Sequence, residues 1–133
     1  MKALKIGNLL APVPIVQGGM GVGISLAGLA SAVADQGGIG VISSAGLGVI
    51  YKDYSKDYRT ASIWGLKQEL KKAREATKGI VGVNVMVAMS NFADMVRTAI
   101  AVVPYRRSQN QTGTHRIVGA RRETAVPEMV CRI

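Results

Sequence analysis

Val13-Pro14-Ile15-Val16-Gln17-Gly18-Gly19-Met20-Gly21-Val22-Gly23-Ile24-Ser25 decides how the rest of the chain is understood. Residues 13–17 are short, almost wholly apolar and carry Pro12 and Pro14 at their start, which predicts a buried strand. Glycines at 18, 19, 21 and 23 follow, where a strand feeds a helix. There the backbone can approach a ligand closely, and exposed N–H groups can meet an anion. Ser25 stands where it would N-cap a helix carrying Leu26, Leu29, Ala30 and Val33 on one stripe, and Gly37 stops that helix.

Outward from this stretch the same alternation repeats. Residues 6–9 read as a short lead-in strand. Residues 39–42 are apolar and β-branched, the next buried strand, and a polar, tyrosine-rich connection covers 51–58. Thr60 is the expected cap of a second helix, in which Ile63, Leu66, Leu70, Ala73 and Thr77 recur at steps of three and four. Lys71 and Glu75 lie four apart on its exposed face, and Gly79 ends it. Residues 80–85 predict a third strand, and Ser90 or Asn91 caps a helix through Asp94, Met95 and Ile100. Near-continuous apolar strands separated by helices predict a parallel sheet covered by helices, an α/β fold. Periodicity alone leaves a doubly wound sheet and a barrel equally open.

Past Ala101 the pattern stops. Residues 108–114 are polar and without period, Ile117-Val118 and Val130 are isolated, and no fourth strand is predicted. All eight lysines lie in residues 1–100, whereas residues 101–133 hold six arginines and no lysine. A shift of reading frame near Ala101 would account for the lost pattern and the change of cation together.

With 48% hydrophobic and 19% charged residues, the 133-residue chain has the balance of a globular protein. A net charge of +9 raises nucleic acid as a partner. The charge is split evenly between the body and the tail, and Tyr105 is the tail's one aromatic residue, so a stacking surface has no support. The single Cys131 makes neither an internal disulfide nor a metal-ligand spacing. The start has no secretory pattern, and no apolar run reaches the roughly 18 residues of a membrane helix. The expectation is a cytoplasmic protein with no membrane and no nucleic-acid partner.

Three polar residues stand out at strand ends. Asn84 lies near the C-terminal end of Gly82-Val83-Asn84-Val85-Met86, Gln17 ends the first strand, and Ser43-Ser44 follow the second. In parallel α/β folds ligands meet the C-terminal ends of strands, and an amide offers a donor and an acceptor to a planar heterocycle. Asn84 is read either as a ligand contact or as a buried amide satisfying loop backbone. The sulfurs of Met20, Met86 and Met89 suit a flat ring, although methionine is commonly core filler. The glycines do not spell the dinucleotide fingerprint, because the third glycine's place holds Ile24 or Leu26. His115 has no partner at fixed spacing and nothing near Cys131 would activate it, so no catalytic residue and no metal ligand is assigned.

In order along the chain, residues 14–21, then Gly37-Gly38-Ile39-Gly40-Val41-Ile42, then residues 82–86, then Asn91-Phe92 resemble the nitronate monooxygenase family, formerly called 2-nitropropane dioxygenase. The resemblance covers about residues 1–100. That family also includes flavin-dependent enoyl-acyl-carrier-protein reductases, the alternative activity. The resemblance implies a (β/α)8 TIM-type barrel with FMN at the C-terminal strand ends. It implies that the backbone of Gly19, Met20 and Gly21 lines the flavin and that Asn84 hydrogen-bonds the cofactor; Gln17, from its place at a strand end, joins them as a cofactor-binding candidate. The implied reaction oxidises an alkyl nitronate to a carbonyl compound and nitrite.

The family would continue with a strand ending in a Ser-Gly-Ala-Gly-like turn, and later with a Gly-His-x-Gly motif. Neither is present, and His115 is followed by Arg116 and Ile117, so no catalytic histidine is carried onto it. The expectation is therefore three βα units of an incomplete barrel over residues 1–100. Residues 101–133 are expected to form an irregular Arg-rich tail, out of frame. A complete barrel takes about 250 residues, so an open sheet edge that self-associates is expected. The competing classes are a non-functional remnant and a basic nucleic-acid-binding fragment.

Overall fold

The structure, a computed structural model, describes residues 2–7 and 9–102, together with the backbone of 118–119 and 128–132. The chain begins with an antiparallel hairpin, β1 (Leu4–Ile6) against β2 (Leu9–Ala11), registered Leu4 to Ala11. The single strand expected over 6–9 is thus two strands meeting at a turn. Ala11 forms a small core with Ile39 and Val41, with Leu4 and Ile80 packed on it.

Residues 13–17 run extended beside β3 (Ile39–Ser43), with a parallel bridge from Val16 to Ile39. The Gln17 N–H donates to Ile39 O at 2.9 Å, and the Ile39 N–H donates to Ile15 O at 2.9 Å. This segment lies where a first strand was expected but is not buried, since Ile15 and Val16 are 52% and 50% exposed. The described residues pair it with β3 alone, so its far side stays open to water.

Helix α1 (Ala27–Asp35) follows, with Leu26 at the N-cap and no side-chain cap; Ser25 is engaged elsewhere. Helix α1 lies directly on β3. A Cβ added at Gly40 would stand 1.8 Å from Ala30 O, so only glycine permits this approach. A short helix α2 (Leu47–Ile50), not anticipated from sequence, precedes α3 (Tyr58–Ala76). The α3 cap is Asp57 rather than Thr60: Asp57 Oδ2 accepts the Thr60 N–H at 2.8 Å, which places Thr60 one turn inside. The expected exposed Lys71–Glu75 pair is present at 3.9 Å.

Strand β4 (Ile80–Met86) runs parallel to β3, from Ile39 opposite Ile80 to Ser43 opposite Asn84. Helix α4 (Phe92–Val102) follows, its first turn closed by Asp94 and Met95 N–H groups donating to Asn91 O. The Asn91 side chain is buried with both amide atoms unpartnered, so it does not supply the expected side-chain cap. Ile42, Val81, Val83 and Val85 turn toward the helices and pack with Leu66, Leu70 and Met95 in the main core. Burial of each such large side chain contributes about 1.5–3 kcal/mol.

The tail departs from expectation. Strand β6 (Glu128–Arg132) pairs antiparallel with β4, and β5 (Val118–Gly119) pairs with β6, giving the order β3-β4-β6-β5. Residues 101–133 are therefore not irregular throughout. The free edge of β4 offers unpaired N–H and C=O groups, and a five-residue segment satisfies them without any apolar period of its own. The result is an open, mixed α/β sheet.

Candidate functional site

Side chains alternate faces along a strand. With Ile42, Val83 and Val85 committed to the helices, Ser43 and Asn84 share the other face at the C-terminal rim, as partners in register. Ser43 and Asn84 are 4% and 7% exposed.

The glycine loop folds onto this rim. Gln17 Oε1 accepts the Val41 N–H at 3.0 Å, and its Nε2 donates to Ser25 Oγ at 2.7 Å. Ser25 Oγ also accepts the Met20 N–H at 2.9 Å and donates to Gly18 O at 3.1 Å. Asn84 Nδ2 donates to Gly19 O at 3.2 Å, tying the loop to β4. The loop could not lie so close with a side chain at 19, because an added Cβ would stand 2.5 Å from Asn84 Cβ. Gly21 lies over Ala45, 3.0 Å between an added Cβ and Ala45 Cβ. Gln17, Gly19, Met20 and Gly21, from one short stretch, thus meet Asn84, 65 residues from Gly19, at one rim. Of the two readings of Asn84, its Nδ2 takes the loop-backbone role, leaving Oδ1 without a partner among the described residues.

The loops of β3, β4 and the glycine segment at this rim are uncharged, the nearest charged residue in register being Glu128 of β6 opposite Met86. Residues 17–26, 43–51 and 84–93 contain no Asp, Glu, Lys, Arg or His. Met20, Val22 and Ile24 are each more than half exposed, and Met86 is partly exposed. An apolar surface surrounded by fixed peptide dipoles suits a flat, largely apolar ligand with a few polar edge groups.

Two residues at this end escaped the sequence. Ser25 has the signature of a helix cap, and only the fold turns its hydroxyl back into the loop. Glu69 lies in the middle of α3 and is indistinguishable by sequence from a solvated charge. It is 2% exposed, accepts the Ala27 N–H at 2.7 Å and the Lys72 ammonium at 2.8 Å, and also accepts the Tyr51 hydroxyl. Burial pushes its pKa up, but the donors Lys72, Tyr51 and Ala27 outweigh burial and hold the carboxyl below its ordinary value. Glu69 and Tyr51 in turn raise Lys72, while Tyr51 is raised first by its burial and then by Glu69. Ser44 Oγ is fully buried and unpartnered.

His115 lies outside the described residues. Cys131 is placed only through its backbone, opposite Val83 in β6. No helix among the described residues is long and apolar enough to cross a membrane.

A family model for nitronate monooxygenase matches residues 2–126. The chain belongs to the nitronate monooxygenase family. The match extends beyond residue 100, where the apolar patterning stops. No curated protein matched this chain in comparison. At the level of family, the chain is a nitronate monooxygenase-like oxidoreductase.

Proposed function

We propose that the rim formed by Gln17, Gly19, Met20, Gly21 and Asn84 is part of the FMN site of an oxidoreductase acting on alkyl nitronates. The observation that carries this reading is that hydrogen bonds through Ser25 and Asn84 hold Gln17, Gly19 and Met20, with Gly21 packed over Ala45, at the C-terminal ends of β3 and β4, where ligands of parallel α/β folds bind. The residues fit such a group: the loops of the rim are uncharged, their exposed side chains are apolar, and Asn84 Oδ1 has no partner among the described residues.

Bound FMN would supply the redox chemistry by which dioxygen, as oxidant and oxygen source, converts a nitronate carbon to a carbonyl with release of nitrite. The chain's own residues bind and orient. The main chain of Gly19, Met20 and Gly21 would face the ring, Asn84 Oδ1 would accept from a ring N–H, and Gln17 would hold the loop's base. Met20, Val22 and Ile24 would exclude water from one side. No residue of this chain is assigned as proton acceptor from the substrate.

In this reading residues 1–100 are a partial flavin-binding unit of a (β/α)8 barrel, and the exposed edge at 13–17 is a surface through which copies associate. The uncharged rim is equally suited to an acyl chain, which keeps the enoyl-acyl-carrier-protein reductase as a second reading. The test is reconstitution of the purified chain with FMN, followed by nitrite release from an alkyl nitronate and NADH oxidation with an enoyl thioester. Retained flavin absorbance with nitrite release supports the first reading, and NADH oxidation alone supports the second. A chain that folds and retains no flavin overturns both.

A further inference from the structure

The loop from Gly18 to Ile24 has little to hold it in shape through its own side chains. Met20, Val22 and Ile24 are 56%, 57% and 55% exposed, and the other four residues are glycines. Glycine loses more freedom on ordering than any other residue, so such a loop needs an anchor. Besides the tie from Asn84 to Gly19 O, its long-range hydrogen bonds centre on one residue, Ser25. Ser25 is fully buried, and its hydroxyl accepts from the Met20 N–H and Gln17 Nε2 while donating to Gly18 O. Its main chain adds two further ties. The Ser25 N–H donates to Met20 O at 2.9 Å, and Ser25 O accepts the Ser43 N–H at 2.8 Å. One residue thereby connects the end of the 13–17 segment, both sides of the loop and β3.

We propose that Ser25 is the positioning residue of this rim: its hydroxyl fixes the conformation of residues 18–24, and hence the surface that Gly19, Met20 and Gly21 present, without itself touching what binds there. That the surface receives FMN rests on the reading above; that Ser25 sets its shape does not.

The inference is tested on the full chain by residue-resolved amide hydrogen exchange without flavin, and separately by FMN titration, in wild type, S25A and S25T. In S25A the Met20 amide loses its acceptor and should exchange about tenfold faster or more, the size expected for one lost hydrogen bond. Leu70 and Val83 amides in the core should keep wild-type protection. S25T retains a hydroxyl and should restore the Met20 amide. FMN affinity should weaken by about tenfold in S25A and recover in S25T. Should S25A fail to fold, S25C fills nearly the same space with a weak acceptor and carries the same comparison. Wild-type protection at Met20 in the alanine or cysteine variant overturns the role of Ser25, whatever FMN does. If Met20 loses protection while even the wild type binds no FMN, the role of Ser25 stands and the flavin reading falls.

Discussion

Helix α1 is held at its start from two sides by two different kinds of chemistry. On the rim side, Ser25, Gln17 and Asn84 use hydroxyls and amides only, and the loops around them carry no charge. On the outer side, Glu69 reaches from α3 to the Ala27 N–H, with the partly buried Tyr51 and the exposed Lys72 completing an ionic cluster around its buried carboxylate. The carboxylate lies at the helix N-terminus, where the macrodipole favours it. The difference separates two tasks: charge supports the scaffold on its outer layer, and neutral dipoles shape the surface proposed to receive a ligand.

The largest expected effect comes from removing the outer anchor. Glu69→Ala leaves the Ala27 N–H and Tyr51 hydroxyl without their acceptor and should cost about 2–4 kcal/mol of stability in chemical denaturation, since each unsatisfied buried group costs about 1–3 kcal/mol. The same cluster predicts an acid dependence. The folded-state pKa of Glu69 is lowered, so its contribution is fully present above the ordinary carboxylate range and is lost as pH falls through the lower folded value. Glu69→Gln should therefore flatten the acid limb of stability measured against pH. A Glu69→Gln variant with an unchanged acid limb would remove the cluster from the account.

On the rim, Gly19→Ala forces a Cβ against Asn84 and should cost about 1–3 kcal/mol as overpacking, with FMN affinity falling further than stability does. Asn84→Ala loses one hydrogen bond to the loop, about 0.5–1.5 kcal/mol, and also weakens FMN. Smallest of all, Lys71→Ala breaks an exposed pair and should change neither melting nor FMN binding within error. If rim substitutions altered only stability, or Glu69→Ala altered only FMN binding, the division between the two regions would fail.

Apart from the four-residue α2, the order of extended segments and helices over residues 13–102 was legible because apolar runs and three-and-four spacings are written into single segments. Gln17 and Asn84 were legible for a related reason, as polar residues at the ends of apolar strands. Ser25 and Glu69 were not, because their partners lie in other segments: Met20 and Gln17 across a loop for one, Ala27 forty-two residues away for the other. Thr60 was mistaken for a cap because Asp57, three residues earlier, offers an equal acceptor and takes the place. The hairpin at Leu4–Ile6 and Leu9–Ala11 has strands too short to show alternation. Strand β6 was invisible because its pairing is supplied by the edge of β4. That pairing, together with a family match that runs on to residue 126, tells against a shifted reading frame near Ala101, which only the change from lysine to arginine still favours. Translating the encoding DNA in its other two frames past Ala101 decides what is left of it: an apolar fourth strand in either frame would restore the shift, and its absence from both makes the tail native to the chain.

The central claim is that residues 17–25 and Asn84 form a neutral rim shaped to receive FMN. Titrating FMN into the folded full chain, for wild type and for Gly19→Ala and Lys71→Ala, tests it most directly. The account predicts saturable binding by wild type and Lys71→Ala and a loss of at least about tenfold in Gly19→Ala, the equivalent of about 1.4 kcal/mol. Equal affinity across the three folded proteins, or no binding by any of them, would contradict it.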